Sequence, residues 1–178
     1  MVGEIRDKET TDLAIQAALT GHMVFSTLHT SNAAGALPRL MDLGAENFLI
    51  ASTITAIVAQ RIVRRICPSC KEAYPPPAAL LEEIKQVLGN LLTEKDIMFH
   101  KGKGCNKCEN LGYVGRVGIY EVLTATEKIS KLIISGSDSL SLEKEAIEEG
   151  MITLKQDGYL KVIHGETTIE EVLRVAQE

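Results

Sequence analysis

Four cysteines constrain this chain more than any other feature. Cys67, Cys70, Cys105 and Cys108 are its only cysteines, and they form two matched turns, Cys67-Pro68-Ser69-Cys70 and Cys105-Asn106-Lys107-Cys108. A C-x2-C turn aims two thiolates at a common centre, so two such turns supply the four ligands of a tetrahedral ion. Soft sulfur donors select zinc over calcium or magnesium, and the pattern predicts a structural Zn2+ centre. Two other uses compete with it. A disulfide framework belongs to small secreted chains, and the acidic first residues do not read as an apolar targeting core. A thioredoxin-type redox site needs one C-x-x-C rather than a matched pair. The 34 residues between Cys70 and Cys105 exceed a short zinc-ribbon loop, so an inserted subdomain is expected there. An ion held this way supplies an apparent ~10–16 kcal/mol. Its loss is therefore expected to melt residues 67–112.

The chain has 178 residues, 45% of them apolar, which suits one or two domains with a real core. Its longest apolar candidate, Phe48 to Ile66, is interrupted by Ser52, Thr53, Thr55, Gln60, Arg61, Arg64 and Arg65, and does not read as a membrane span. A soluble, cytoplasmic protein is the default expectation. Net charge is −5, distributed as −3 over residues 1–60, +4 over 61–120 and −6 over 121–178. The positive stretch coincides with the cysteines and admits an anionic partner, although a solvated basic face is the plainer reading. A zinc-ribbon module gripping nucleic acid is the second functional reading. Scarce aromatics, no tryptophan and an acidic total argue against it, so no nucleic acid is expected as a partner. A pure interaction domain without chemistry is the third.

Along the chain, Met1 to Ile5 reads as the end of an apolar strand. Asp7 then caps a helix whose Leu13, Ala14, Ala17 and Ala18 form one stripe, ended by Thr20-Gly21. His22 to Leu28 is β-prone and reads as a buried strand, followed by the polar turn His29-Thr30-Ser31-Asn32. A helix over Ala33 to Leu43 contains Pro38, which must kink it or mark its true first turn. A helix from Asn47 leads into a strand, Ile57 to Ile66, that feeds the first cysteine turn. This alternation predicts an α/β fold with a largely parallel sheet. Glu4 and His29 then lie at the C-terminal ends of strands, where ligands bind in such sheets.

After Cys70, Pro75-Pro76-Pro77 makes a break before a helix over Ala78 to Leu88. Glycines punctuate Tyr113 to Leu123, which reads as a turn and short strands. From Thr126 onward the pattern is helical: Thr126 starts one helix, Leu142 to Glu149 forms another, Leu154 to Ile163 a third weakened by Gly158, and Thr168 caps a fourth.

Several of these segments, in order, resemble the secretion ATPases, the motors of type II secretion and type IV pilus assembly. Met1-Val2-Gly3-Glu4-Ile5-Arg6-Asp7 is similar to their Walker B segment. Thr20-Gly21-His22 and Ser26-Thr27-Leu28-His29-Thr30 resemble their histidine box. Ala59-Gln60-Arg61-Ile62-Val63-Arg64, the paired cysteine turns, Gly112-Tyr113-x-Gly115-Arg116-x-Gly118-Ile119-Tyr120-Glu121 and Gly150-Met151-x-Thr153-Leu154 match the same family. The four-cysteine insert points to the assembly or export branch, since retraction motors usually lack it.

The resemblance implies three parts: a partial RecA-like P-loop ATPase core over 1–66, a zinc subdomain over 67–112, and a mainly helical C-terminal subdomain over 113–178. No G-x-x-x-x-G-K-[ST] loop is present. In the family that loop lies upstream of Walker B, so the chain reads as the C-terminal part of a motor and is expected to be inactive alone. In the complete protein ATP and Mg2+ would be bound. Glu4 would hold the Mg2+ shell or polarise the attacking water, against a bland role pairing Arg6. His29 would contact the γ-phosphate, and His22 is a weaker candidate beside it. Arg6 and Arg61, with Arg64 and Arg65, are candidates for phosphate or subunit contacts because a guanidinium fork matches both. The implied assembly is a hexamer at the cytoplasmic side of the inner membrane, acting on a membrane platform protein.

Overall fold

The computed structural model describes residues 1–94 and 96–176. In chain order the helices are α1 (Lys8–Leu19), α2 (Ala36–Asp42), α3 (Asn47–Thr53), α4 (Ala78–Leu88), α5 (Glu127–Ile134), α6 (Ser139–Glu148), α7 (Leu154–Ile163) and α8 (Ile169–Val175). The strands are β1 (Ala56–Ile66), β2 (Lys71–Tyr74), β3 (Phe99–Gly102) and β4 (Tyr113–Thr124). The chain divides into two compact units, one made of Met1–Ala59 and Glu121–Ile152, the other of Gln60–Tyr120 and the residues from Thr153 onward. β1 and β4 pair with each other, and each passes from one unit into the other.

In the first unit, Asp7 caps α1 as expected, its Oδ1 accepting the Thr10 N–H at 2.8 Å. α2 begins at Ala36, so Pro38 sits in its first turn. The three residues before it form a tight turn, with the Ala36 N–H bonded to the Ala33 carbonyl. The core joins Ala33, Ala34, Leu37 and Leu40 to Ile50 of α3, Leu123 of β4, Ile129 and Ile133 of α5, and Leu142 and Ala146 of α6. Thr126 caps α5, accepting the Ile129 N–H.

The expected buried strand at 22–28 is corrected. The Val2 N–H donates to the Phe25 carbonyl at 2.8 Å and the Ile5 N–H to the Thr27 carbonyl at 3.0 Å, so the two segments run in the same direction. The spacing is uneven, however, and no continuous ladder forms. Met23 and Phe25 are 79% and 64% exposed. Among the described residues the strands form two two-stranded sheets rather than one parallel sheet. A parallel strand is buried only when neighbours and helices cover it, and among the described residues the backbone bonds of segment 22–28 to another extended segment run to residues 2–5.

In the second unit, β2 and β3 are antiparallel, with Lys71 opposite Gly102 and Tyr74 opposite Phe99. The insertion between the cysteine turns thus leaves and returns as one strand pair, with α4 between. Its apolar face joins a core of Ile84, Leu88, Phe99, Tyr159, Val162, Ile163, Ile169 and Val172. Each fully buried aliphatic or aromatic side chain contributes roughly 1.5–3 kcal/mol. Thr153 and Gln156 start α7 with a reciprocal capping box. Gly158, expected only to weaken α7, has a packing reason: a Cβ there would stand 2.5 Å from Val172 Cγ1. Glycine is what lets α7 and α8 approach.

Candidate functional site

Local pairing builds the cysteine cluster. β1 delivers Cys67, whose N–H bonds the Gly112 carbonyl at 2.9 Å. The β2–β3 register continues one step further, with the Lys103 N–H donating to the Cys70 carbonyl at 2.9 Å. The two turns are thereby brought face to face. Gly102 and Gly112 cross so closely that a Cβ on Gly102 would collide with the Gly112 carbonyl. Only glycines fit both positions.

The four Sγ atoms all lie within 4.8 Å of one another. Cys67–Cys105 is 3.9 Å, Cys70–Cys108 3.8 Å and Cys105–Cys108 3.7 Å. A tetrahedral ion with metal–sulfur bonds of ~2.3 Å requires sulfur–sulfur edges of ~3.8 Å. The residues therefore fit one ion at their centre. The backbone supports the charge. Burial opposes a thiolate at Cys108, but N–H donors of Cys105 at 3.2 Å and Gly112 at 3.3 Å outweigh it and bring its pKa to about 7. Burial pushes Cys70 up to about 12, with the Gly104 N–H acting the other way. The fold alone eases ionisation of Cys108, and a bound cation would favour the thiolate form of all four.

A second cluster lies in the first unit. Glu4 Oε2 meets Arg6 Nη2 at 2.6 Å, and Glu4 Oε1 meets His29 Nε2 at 2.7 Å. The hydrogen bond from Arg6 is the largest influence holding the Glu4 carboxyl below its ordinary pKa, with His29 adding to it against burial. Glu4, Ile5, Arg6, His29 and Arg39 line a shallow cavity of about 280 Å³. One carboxylate with two guanidiniums and an imidazole can hold a hydrated cation beside an anion.

The structure thus brings Glu4, His29 and Arg6 together. His22 does not line that cavity; its Nδ1 lies 3.0 Å from Thr20 Oγ1 at the end of α1. Arg61 belongs to the second unit, where its Nη1 donates to the Gln60 carbonyl at 3.1 Å. Reading the sequence missed Arg39, which α2 carries into the cavity one residue after Pro38. It also missed roles for two buried acids, Glu121 and Glu171, each about 2% exposed. Glu121 had a signal: it occupies the inward step of an alternation in β4, between Ile119 and Leu123.

Comparison with known proteins places this architecture. The Legionella pneumophila ATPase DotB matches with a TM-score of 0.64 and 22% identity, covering 99% of this chain and 37% of that one. The pilus retraction motor PilT with bound ADP matches with a TM-score of 0.64 and 23% identity, covering 99% and 40%. The fold is therefore the mixed α/β fold found in part of each of these two proteins. The family described as Type II/IV secretion system protein matches residues 1–174, and the chain belongs to that family. It is 43% identical over 178 residues to the type II secretion system protein E of Pseudomonas aeruginosa, covering 100% of this chain and 34% of that protein. It is 42% identical over 175 residues to the type IV pilus assembly ATPase PilB of Myxococcus xanthus, covering 97% and 30%. The chain spans about a third of the length of these curated relatives. No helix of the described residues is long and apolar enough to cross a membrane.

Proposed function

We propose that these residues form the C-terminal part of a hexameric ATPase that drives type II secretion or type IV pilus assembly. The motor works at the cytoplasmic side of the inner membrane on a membrane platform protein. The observation that carries this reading is the Glu4–Arg6–His29 cluster, built from residues that resemble the family's Walker B segment and histidine box. The functional division follows the three parts named above, with the ATPase core over 1–66, the metal subdomain over 67–112 and the C-terminal part over 113–178.

Bound Mg2+ would supply charge neutralisation at the phosphoryl oxygens. Glu4, kept ionised by Arg6, would hold that hydrated ion or orient the attacking water. His29 and Arg6, which line the same cavity, would meet the terminal phosphate, and Arg39 would add positive charge there. His22 and Arg61 serve as outlying phosphate or subunit contacts. Four thiolates at tetrahedral spacing suit Zn2+, which here is structural because all four positions are protein sulfur. The phosphate-gripping lysine loop comes from elsewhere in the motor, so the 178 residues alone should turn over ATP negligibly.

The test is Glu4→Gln in the complete motor polypeptide carrying this segment. Removing a catalytic carboxylate should lower kcat by ~10²–10⁴-fold, with nucleotide binding retained. Turnover within threefold of the unaltered motor, or brisk Mg2+-dependent hydrolysis by the isolated 178 residues, would refute the assignment.

A further inference from the structure

Glu121 is a carboxylate where a strand's pattern calls for an apolar side chain. In β4 the inward residues are Ile119, Glu121 and Leu123, all almost fully buried. Burying a carboxylate costs several kcal/mol unless it is bonded. Its Oε1 accepts the backbone N–H of Ala33 at 2.8 Å, across 88 residues of chain. Ala33 stands four residues after His29, in the turn that opens α2.

Short bonds within that turn give it its shape. Thr30 Oγ1 donates to the Asn32 carbonyl at 2.9 Å, and Asn32 Oδ1 accepts the Gly35 N–H at 2.9 Å. Such bonds shape a turn but do not anchor it to the sheet. Ala33 and Ala34 are wholly buried, so the turn has one place to sit, and Glu121 supplies a directional polar attachment there. His29, in contrast, is largely exposed and meets Glu4 through its Nε2. His29 lies between Thr27, whose carbonyl accepts the Ile5 N–H at 3.0 Å, and the turn that Glu121 holds, so its position depends on both attachments.

We propose that Glu121 is the positioning residue for His29: its buried carboxylate fixes the 29–35 turn through the Ala33 N–H and so sets the imidazole against Glu4. The inference rests on the reading of His29 as a phosphate-side residue. In this proposal Glu121 acts on His29 through the turn and not on the substrate. A misplacement of about 1 Å in such a group costs ~100-fold in rate, which sets the expected effect.

The experiment is a double-mutant cycle on ATP turnover by the complete motor, using His29→Ala, Glu121→Ala and both together. Glu121→Ala should lower kcat by ~10–100-fold with KM for ATP little changed, and should cause no further loss once His29 is alanine. Glu121→Gln, which keeps an acceptor oxygen, should recover most of the rate. Should Glu121→Ala fail to fold, Glu121→Asp takes its place, since it keeps the charge but shortens the reach by one methylene. A Glu121 effect that multiplies with that of His29→Ala would show a role in stability alone and overturn the proposal. So would a motor unaffected by Glu121→Ala or, where that variant fails to fold, by Glu121→Asp. If His29→Ala itself leaves kcat unchanged, the reading of His29 fails, and this inference with it.

Discussion

Glu171 should dominate the acid response of the second unit. Its carboxylate accepts four hydrogen bonds. The Arg64 backbone N–H donates to Oε2 at 2.8 Å and Arg64 Nη2 to Oε1 at 2.9 Å. Arg174 Nε donates to Oε1 at 3.3 Å and Nη2 to Oε2 at 3.0 Å. Burial works against the charge, but the bonds from Arg174 and Arg64 outweigh it and lower the pKa from 4.5 to about 2. Each unit of that difference is worth ~1.4 kcal/mol, giving roughly 3 kcal/mol of stability. Both arginines are more than half exposed, so salt screens part of it and ~2–3 kcal/mol is the working figure. Because the folded value is depressed, this stability is fully present above the unfolded pKa of 4.5 and is lost as pH falls toward 2. The perturbation is Glu171→Gln, which removes the charge and turns an amide N–H2 toward arginine donors. In urea unfolding at pH 7 it should cost ~2–3 kcal/mol. At pH 3 the gap between the two proteins should narrow by about 2 kcal/mol or less. Metal release in acid affects both proteins alike and cancels in that difference. Equal stability at pH 7, or a gap that does not change with pH, would refute the reasoning.

Chelating the metal from reduced protein should abolish amide-exchange protection over 67–74 and 99–112 while leaving α7 and the buried end of α4 protected. Ile84 and Leu88 pack in an apolar core with residues of α7 and α8, so this outcome is narrower than the melting of the whole of 67–112 expected from sequence. Absence of stoichiometric zinc by elemental analysis, or loss of protection throughout the unit, would count against this. Gly158→Ala should destabilise by ~1–3 kcal/mol through overpacking on Val172, despite alanine's better helix propensity of ~1 kcal/mol. Adding Val172→Ala should remove that clash penalty, as the unfolding free energies of the single and double variants will show.

Local signals made most of the helices legible. Asp7 and Thr126 were readable as caps, because a cap is set by residues three apart. Thr168 holds the N-cap position of α8, but its side chain accepts no capping bond and its Oγ1 meets the Tyr113 hydroxyl instead. The cysteine cluster was legible for a similar reason: spacing within each turn decides its geometry, and four thiols admit one centre. What escaped was set by partners distant in sequence. The exposure of Met23 and Phe25 depends on what covers an extended segment, and periodicity cannot report that. Gly158 looked like a flaw until Val172 stood against it. Arg39 entered the Glu4 cavity through the placement of α2, which Pro38 helps to set but does not reveal.

The two buried carboxylates point to a shared logic within their respective units. Glu121 interrupts the apolar alternation of β4, and Glu171 sits beside Val172 on a helix whose inner face is otherwise apolar. Glu171 also pairs with Arg64 and Arg174, but what the two carboxylates share is different. Each accepts a main-chain N–H from a segment that leads to or from functional side chains. Glu121 takes that of Ala33, four residues past His29. Glu171 takes that of Arg64, three residues before Cys67. A main-chain bond fixes position whatever side chain the donor carries, and a buried acceptor makes losing it costly. An acid on the inward step of an otherwise apolar pattern is thus a signal for positioning, and the pattern itself is visible in the order of the residues.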